Sequence, residues 1–203
     1  MRRSTTLVVA MMLVLAALGA AWAGPPTDQL REYTEHVVRV LEDPSLREED
    51  RRAAVRRIAH EVFDVQETAR RALGRHWRGR TPTEREEFVQ LFAELMESTY
   101  ISRIDLYGGE RLRFVDEKID GEHAVVRARI VTRGGTEVPV EGRMLRRGDR
   151  WLIYDVVIEG VSLIANYRSQ FDRIIRSSSF ADLVKRLRDR TQSLDRSARP
   201  HAS

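Results

Sequence analysis

Five histidines, His36, His60, His76, His123 and His201, and no cysteine set the limits on metal and nucleophilic chemistry. No two histidines stand at a metal-ligand spacing such as HxxxH, so no histidine metal site is written into the chain. Without cysteine there is no thiol nucleophile, disulfide framework, cysteine metal site or lipid-anchoring cysteine behind a leader. GxSxG, a phosphate loop and a glycine-rich dinucleotide fingerprint are missing too, and the stretch from Gly74 to Gly79 is too bulky for the last. One constellation could move protons: Asp155 in an apolar segment, Tyr154 beside it and His123 at the start of another candidate strand. A carboxylate in an apolar pocket has a raised pKa and can serve as a general acid or base. The alternative is an aspartate bonded to backbone amides or to an arginine. Strand alternation turns Tyr154 away from Asp155, which weakens a shared site. No residue is therefore nominated as catalytic, and an isomerase- or dehydratase-type enzyme using Asp155 or His123 stands only as the rival to a non-enzymatic protein.

The elements that would position these groups follow from periodicity. Leu30, Tyr33, Val37, Val40 and Leu41 recur at helical spacing over 27–41, stopping at Asp43-Pro44. Ser45 can cap a second helix burying Val55, Ile58, Ala59 and Val62. Asp64 with Glu67 offers a capping-box restart that runs to Gly74, so the chain bends near Phe63. Thr81-Pro82-Thr83-Glu84 is the clearest helix start: a threonine cap, a proline whose missing N–H does no harm, and a carboxylate at the third position. The helix that follows runs to about Tyr107 and carries Phe88, Leu91, Phe92, Leu95, Met96, Tyr100, Ile104, Leu106 and Tyr107. That stripe is wider than one packing contact needs and could face a sheet and a cavity together.

Strands are then expected over 111–119, 123–132, 136–145 and 150–159, separated by Asp120-Gly121, Gly134-Gly135 and Gly148-Asp149, which suit tight antiparallel turns. The last, apolar on both faces except at Asp155, should lie centrally. Leu163, Ile164, Tyr167, Phe171, Ile174 and Ile175 restore the helical period, and Ser179 opens a final helix. Helices, then strands, then helices make an α+β fold: a curved antiparallel sheet of about four strands covered by helices, enclosing an apolar pocket.

The 203 residues carry a net charge of +4. Residues 1–23 combine Arg2-Arg3, an uncharged run from Leu7 to Ala21 and a small-x-small site at Ala21-Trp22-Ala23. They read as a cleaved signal peptide, with the run shorter than the ~20 residues of a spanning helix. The mature protein is then expected outside the cytoplasm, as one domain over 24–192 with a disordered basic tail over 193–203. From Arg186 onward five arginines face Asp189 and Asp195, so the positive excess lies at the C-terminal end of the chain. A nucleic-acid partner is discounted on that ground, because phosphate contacts require the charge on the folded part.

Several of these segments also carry a family resemblance. Gly74-Arg75-His76-Trp77-Arg78, Thr81-Pro82-Thr83-Glu84-Arg85 with Phe88, Phe92 and Tyr100, and Trp151-Leu152-Ile153-Tyr154-Asp155-Val156 running into 159–171 resemble the soluble periplasmic phospholipid-binding proteins called MlaC, the toluene-tolerance or Ttg2D family. The likeness runs from about Leu30 to Leu187. It implies an NTF2-like fold whose pocket holds acyl chains with the headgroup near solvent. The cargo would be a phospholipid, with no cofactor and no metal. The implied partners are an outer-membrane lipoprotein complex and an inner-membrane ABC-transporter complex with an MCE-type substrate-binding subunit, in the maintenance of outer-membrane lipid asymmetry. Trp77, Phe88, Phe92, Tyr100, Tyr154, Val161, Leu163, Tyr167 and Phe171 fall in the matching motifs. Leu95, Met96 and Ile104 on the long helix and Phe114, Val126, Val140, Met144, Trp151 and Ile153 on the strands complete the expected lipid-binding lining, with Arg168 as a headgroup or partner contact.

Overall fold

The structure, a computed structural model, describes residues 25–198, excepting the side chains of 102, 103, 105 and 194–198. The leader assigned to 1–23 and the end of the chain from 199 lie outside the described residues. Helices α1 (Pro25–Glu42), α2 (Glu48–Val62), α3 (Val65–Leu73) and α4 (Pro82–Tyr100) precede strands β1 (Arg111–Asp120), β2 (His123–Val131), β3 (Glu137–Arg147), β4 (Arg150–Ile158) and β5 (Val161–Ser162). Helices α5 (Leu163–Ser177) and α6 (Phe180–Ala198) follow. Helix α6 therefore continues through the first residues assigned to the tail.

Local chemistry explains most boundaries. The Thr81 hydroxyl accepts from the Glu84 N–H at 3.2 Å, and the Glu84 carboxylate accepts from the Thr81 N–H at 2.8 Å, a reciprocal capping box. Asp64 caps α3 through the Glu67 N–H at 2.9 Å. Glu67 does not complete a box there, because Arg70 and Arg71 hold its carboxylate and the Asp64 N–H goes to the Ile153 carbonyl. Ser45 is not the cap of α2: its N–H and hydroxyl both donate to Asp43, and the cap position falls two residues later, on Arg47, whose side chain makes no cap hydrogen bond. The long helix ends as α-helix at Tyr100 and tightens into a 3₁₀ turn, Ile101–Leu106. Gly74 ends α3 at φ +58, with the stem of Arg168 3.0 Å from where a Cβ would sit, so only glycine fits both demands.

The curved sheet of about four strands expected from the sequence is not what forms. The sheet has five antiparallel strands in the order β1-β2-β3-β4-β5, an open meander that is neither closed nor strongly curled. Closure would require the last strand to bond across to β1, and β5 is two residues long and already paired with β4. The two register shifts, between Phe114 and Asp116 and between Arg143 and Met144, bend single strands without rolling the sheet. Nor is β4 central: it is fourth of five, its burial alternates along the strand, and α1, α2, α3 and α5 all contact it.

Apolar side chains divide into two clusters. One joins α3, α4, α5 and α6 around Phe88, Phe92, Phe171 and Leu183; the other packs α1 and α2 on the sheet through Leu30, Ile58, Val62, Val126 and Met144. The α+β layering stands, with apolar space enclosed both between α1, α2 and the sheet and at the seam between the clusters.

Candidate functional site

Two cavities of about 320 Å³ each stand side by side, the first inside the sheet cluster and the second at the seam. The first lies between α1, α2 and the inner face of the sheet, with Leu30, Tyr33, Val37, Val55, Ile58, Phe114, Val126, Val140 and Ile153 among its walls. The second lies between α2, the C-terminal half of α4, β4 and the start of α5, against Phe92, Ala93, Met96, Tyr100, Ile101, Ile158 and Leu163. Ala59, Phe63 and Val156 line both.

The register shift on β4 makes this shared wall. Asp155 pairs with Arg143 and Ile153 with Met144, so Tyr154 is an extra residue opposite no partner. Beyond it Val156 returns to the cavity that Ile153 lines, which unbroken alternation would forbid for residues three apart.

The walls are apolar in a specific way. Thr34 donates its hydroxyl to the Leu30 carbonyl at 2.7 Å and Thr68 to the Tyr154 carbonyl at 3.3 Å, so neither presents an unpaired polar atom. The polar side chains of the second cavity sit at its rim: His60 on α2 meets Glu97 on α4 at 2.9 Å, and Arg56 meets the other oxygen of Glu97 at 2.8 Å. Tyr100 and Ile158 line the same cavity and stay 45% and 44% exposed, so it opens to solvent there. Tyr167 lies beside that opening; its burial, with Tyr100 alongside, pushes its phenol up to about 12.

Of the residues expected to line a pocket, Phe114, Val126, Val140 and Ile153 stand at the first cavity and Phe92, Met96, Tyr100 and Leu163 at the second. Phe88, Leu95 and Phe171 are buried in the helical cluster, with Trp77 and Tyr167 against its edge, while Met144 and Trp151 are buried in the sheet cluster. Tyr154 lies under the guanidinium of Arg71 at 3.8 Å. Ile104 is half-buried in the 3₁₀ turn, Val161 is 63% exposed on β5, and Arg168 is exposed and crosses Gly74. None of these last eleven residues lines either cavity. Sequence reasoning missed the wall from α1 and α2: Leu30, Tyr33, Val37, Val55, Ile58 and Phe63. Helical periodicity marked most of them as buried without indicating a void in front of them.

The rival acid–base pair is not assembled. Asp155 is 5% exposed and fully engaged: Oδ1 accepts from the Ile164 N–H at 3.1 Å, Oδ2 from the Ser162 hydroxyl at 2.6 Å and from Arg143 at 3.4 Å. His123 is exposed, its ring 6.5 Å from that of Tyr154. Among the described residues no cluster of three or more histidine, aspartate or glutamate side chains could hold a metal ion.

Comparison with known proteins adds to this geometry. A family model described as MlaC protein matches residues 17–189. The intermembrane phospholipid transport system binding protein MlaC of Haemophilus influenzae is 21% identical over 122 residues, 58% of this chain and 57% of that protein, so the chain aligns with little more than half of that relative. A solved phospholipid-binding protein of Ralstonia solanacearum, crystallised in complex with a phospholipid, superposes with a TM-score of 0.75 at 22% identity, over 85% of this chain and 99% of the other. Since the identity is low, that superposition speaks for the shared fold.

Proposed function

The chain belongs to the MlaC family, and on that membership we propose that it is a periplasmic phospholipid carrier that holds acyl chains in the two joined cavities. The observation that carries this reading is the pair of apolar voids meeting at Phe63 and Val156, with charged groups only at the solvent end of the second. Voids of a few hundred Å³ are of ligand size. About thirty chain methylenes would cost on the order of 20 kcal/mol to expose, at ~0.8 kcal/mol each. A carrier has to replace that environment with apolar walls, and it needs no reacting group to do so. The cargo is the phospholipid itself, and no cofactor takes part. Residues 1–23 act as the export leader and 24–192 as the carrier domain. The partners fitting this role are an outer-membrane lipoprotein complex and an inner-membrane ABC transporter with an MCE-type subunit, because lipid held this way can leave only against another apolar surface. Nucleic acid is not a partner.

The test is extraction of the mature protein, purified from Gly24 onward, with organic solvent and mass spectrometry of the extract against a control protein. Stoichiometric phospholipid of mixed chain length is the expected result. A folded protein that is empty as isolated and stays empty after incubation with phosphatidylethanolamine–phosphatidylglycerol vesicles overturns the carrier reading.

A further inference from the structure

Phe63 stands at the break between α2 and α3, in extended backbone (φ −95, ψ 136), and is one of three residues common to both cavities. The other two are Ala59, a single methyl, and Val156, so the phenyl ring is the bulkiest group in the shared wall. Its backbone is fixed from both sides. The Phe63 N–H donates to the Ala59 carbonyl at 3.0 Å, and Phe63 itself makes an isolated bridge with Ile153 on β4. Next to it the Asp64 N–H donates to the Ile153 carbonyl at 2.9 Å, while the buried Asp64 carboxylate caps α3 and pairs with Arg147 at 2.8 Å. A phenyl group has only two side-chain torsions, so a pinned backbone leaves it little freedom.

We propose that the Phe63 ring is a fixed partition that makes the protein selective for lipids built of separable straight chains, one chain to each cavity, and closes it to lipids whose apolar part is one wide rigid body. This inference rests on the carrier reading and names the substrate class that its site accepts. Flexible chains pass on either side of the ring, whereas a fused-ring lipid would need both volumes at once with the ring between them. A single methylene in an apolar pocket already changes affinity by about 10–200-fold, so removal of a phenyl ring is a large change in selectivity.

The test uses two fluorescent probes, the straight-chain polyene cis-parinaric acid and the rigid four-ring dehydroergosterol, on delipidated protein. Wild type is expected to bind two parinaric acid molecules and to bind the sterol weakly. Phe63→Ala is expected to tighten sterol binding at least about tenfold while changing parinaric acid affinity much less. Val156→Ala opens the same wall from the sheet side and serves if Phe63→Ala does not fold; it should move sterol binding in the same direction. Sterol affinity unchanged in the folded variants, or wild type binding the sterol as tightly as the fatty acid, overturns the partition and leaves the carrier reading standing. Wild type that takes up neither parinaric acid nor vesicle phospholipid overturns the carrier reading and the partition with it.

Discussion

Replacing Asp155 separates its structural role from a chemical one. Its carboxylate is 5% exposed and takes three donors: the Ile164 N–H, the Ser162 hydroxyl and Arg143. These contacts fasten the turn from β4 through β5 into α5. Asp155→Ala removes every acceptor. Ser162 keeps its other role, accepting from the Ala165 N–H as the cap of α5, and Arg143 keeps a longer approach to Glu141 at 4.0 Å. The loss therefore falls mainly on the buried Ile164 N–H and on the broken ion pair, about 3–5 kcal/mol in total. Asp155→Asn keeps one carbonyl acceptor and loses the charge, for about 1–3 kcal/mol. At roughly 2–4 °C per kcal/mol for a chain of this size, the alanine variant should melt about 6–20 °C below wild type and the asparagine variant less far below. Melting followed by circular dichroism gives Tm, and solvent extraction gives phospholipid per folded protein, which should match wild type in both variants. An Asp155→Asn protein with wild-type Tm and no lipid would refute the assignment of Asp155 to structure.

Phe88 is fully buried and lines neither cavity, so Phe88→Ala should cost about 3–5 kcal/mol while leaving lipid per folded molecule unchanged; Ala93→Phe, which places a ring in the second cavity, should do the reverse, cutting lipid content with little change in Tm. Thr81→Ala breaks the capping box of α4 and should cost about 1 kcal/mol by urea denaturation; no change would mean that the helix start is held by packing alone. At Glu67 burial pushes the carboxyl up, but the hydrogen bonds and charges of Arg70 and Arg71 outweigh it and hold the group below its ordinary range. The His76 hydrogen bond, with Arg75, likewise lowers Asp172. Both contributions are present above the unfolded pKa values, about 3.9–4.3, and are lost as pH falls through the lower folded ones. The urea midpoint should therefore hold from pH 7 to about 5 and drop below about 4, with a shallower drop in Glu67→Gln. Identical acid limbs for the two proteins would remove Glu67 from the account.

Features set by a few neighbouring residues were legible in the sequence. The Thr81 cap, the Asp64 restart of α3 and the glycine turns between β1, β2, β3 and β4 all depend on chemistry within about four positions. Features set by distant contacts were not. The extra residue at Tyr154 is invisible because the sequence around it is apolar whichever way the alternation runs, and the two-residue β5 exists only because Val161 and Ser162 reach Ile158 and Val157. The site shows the same limit. Phe88 on α4 and Ile58 on α2 look alike as members of apolar stripes, yet Phe88 is packed among rings and Ile58 faces a void. What decides between them is whether the partner element closes the gap, and that is a property of two elements together. The motif residues of the resemblance fall largely in the helical cluster, which builds the frame, while the shared wall is made by Ala59, Phe63 and Val156.

The position of the cavities also bears on how cargo could be released. Each hydrophobic cluster is sealed by side chains at or near zero exposure, such as Phe88 and Leu183 in one and Val126 and Met144 in the other. Between them run the Phe63–Ile153 bridge, the Asp64–Arg147 pair and the buried Asp155 hydrogen bonds that tie β4 to α5, whereas at the solvent end Glu97 meets Arg56 and His60, whose side chains are 49% and 53% exposed. Solvent-exposed ion pairs contribute about 0–1 kcal/mol each, so parting α2 from α4 at Glu97 costs little compared with the ~20 kcal/mol of moving acyl chains into water. Opening and release are therefore governed by different quantities. On the carrier reading, parting at that end does not by itself release cargo, because the lipid has nowhere favourable to go, and discharge is decided by the apolar surface presented at the mouth marked by Tyr100 and Ile158. A stronger latch there would slow loading as much as unloading without making the carrier more faithful, which fits a mouth held by exposed side chains.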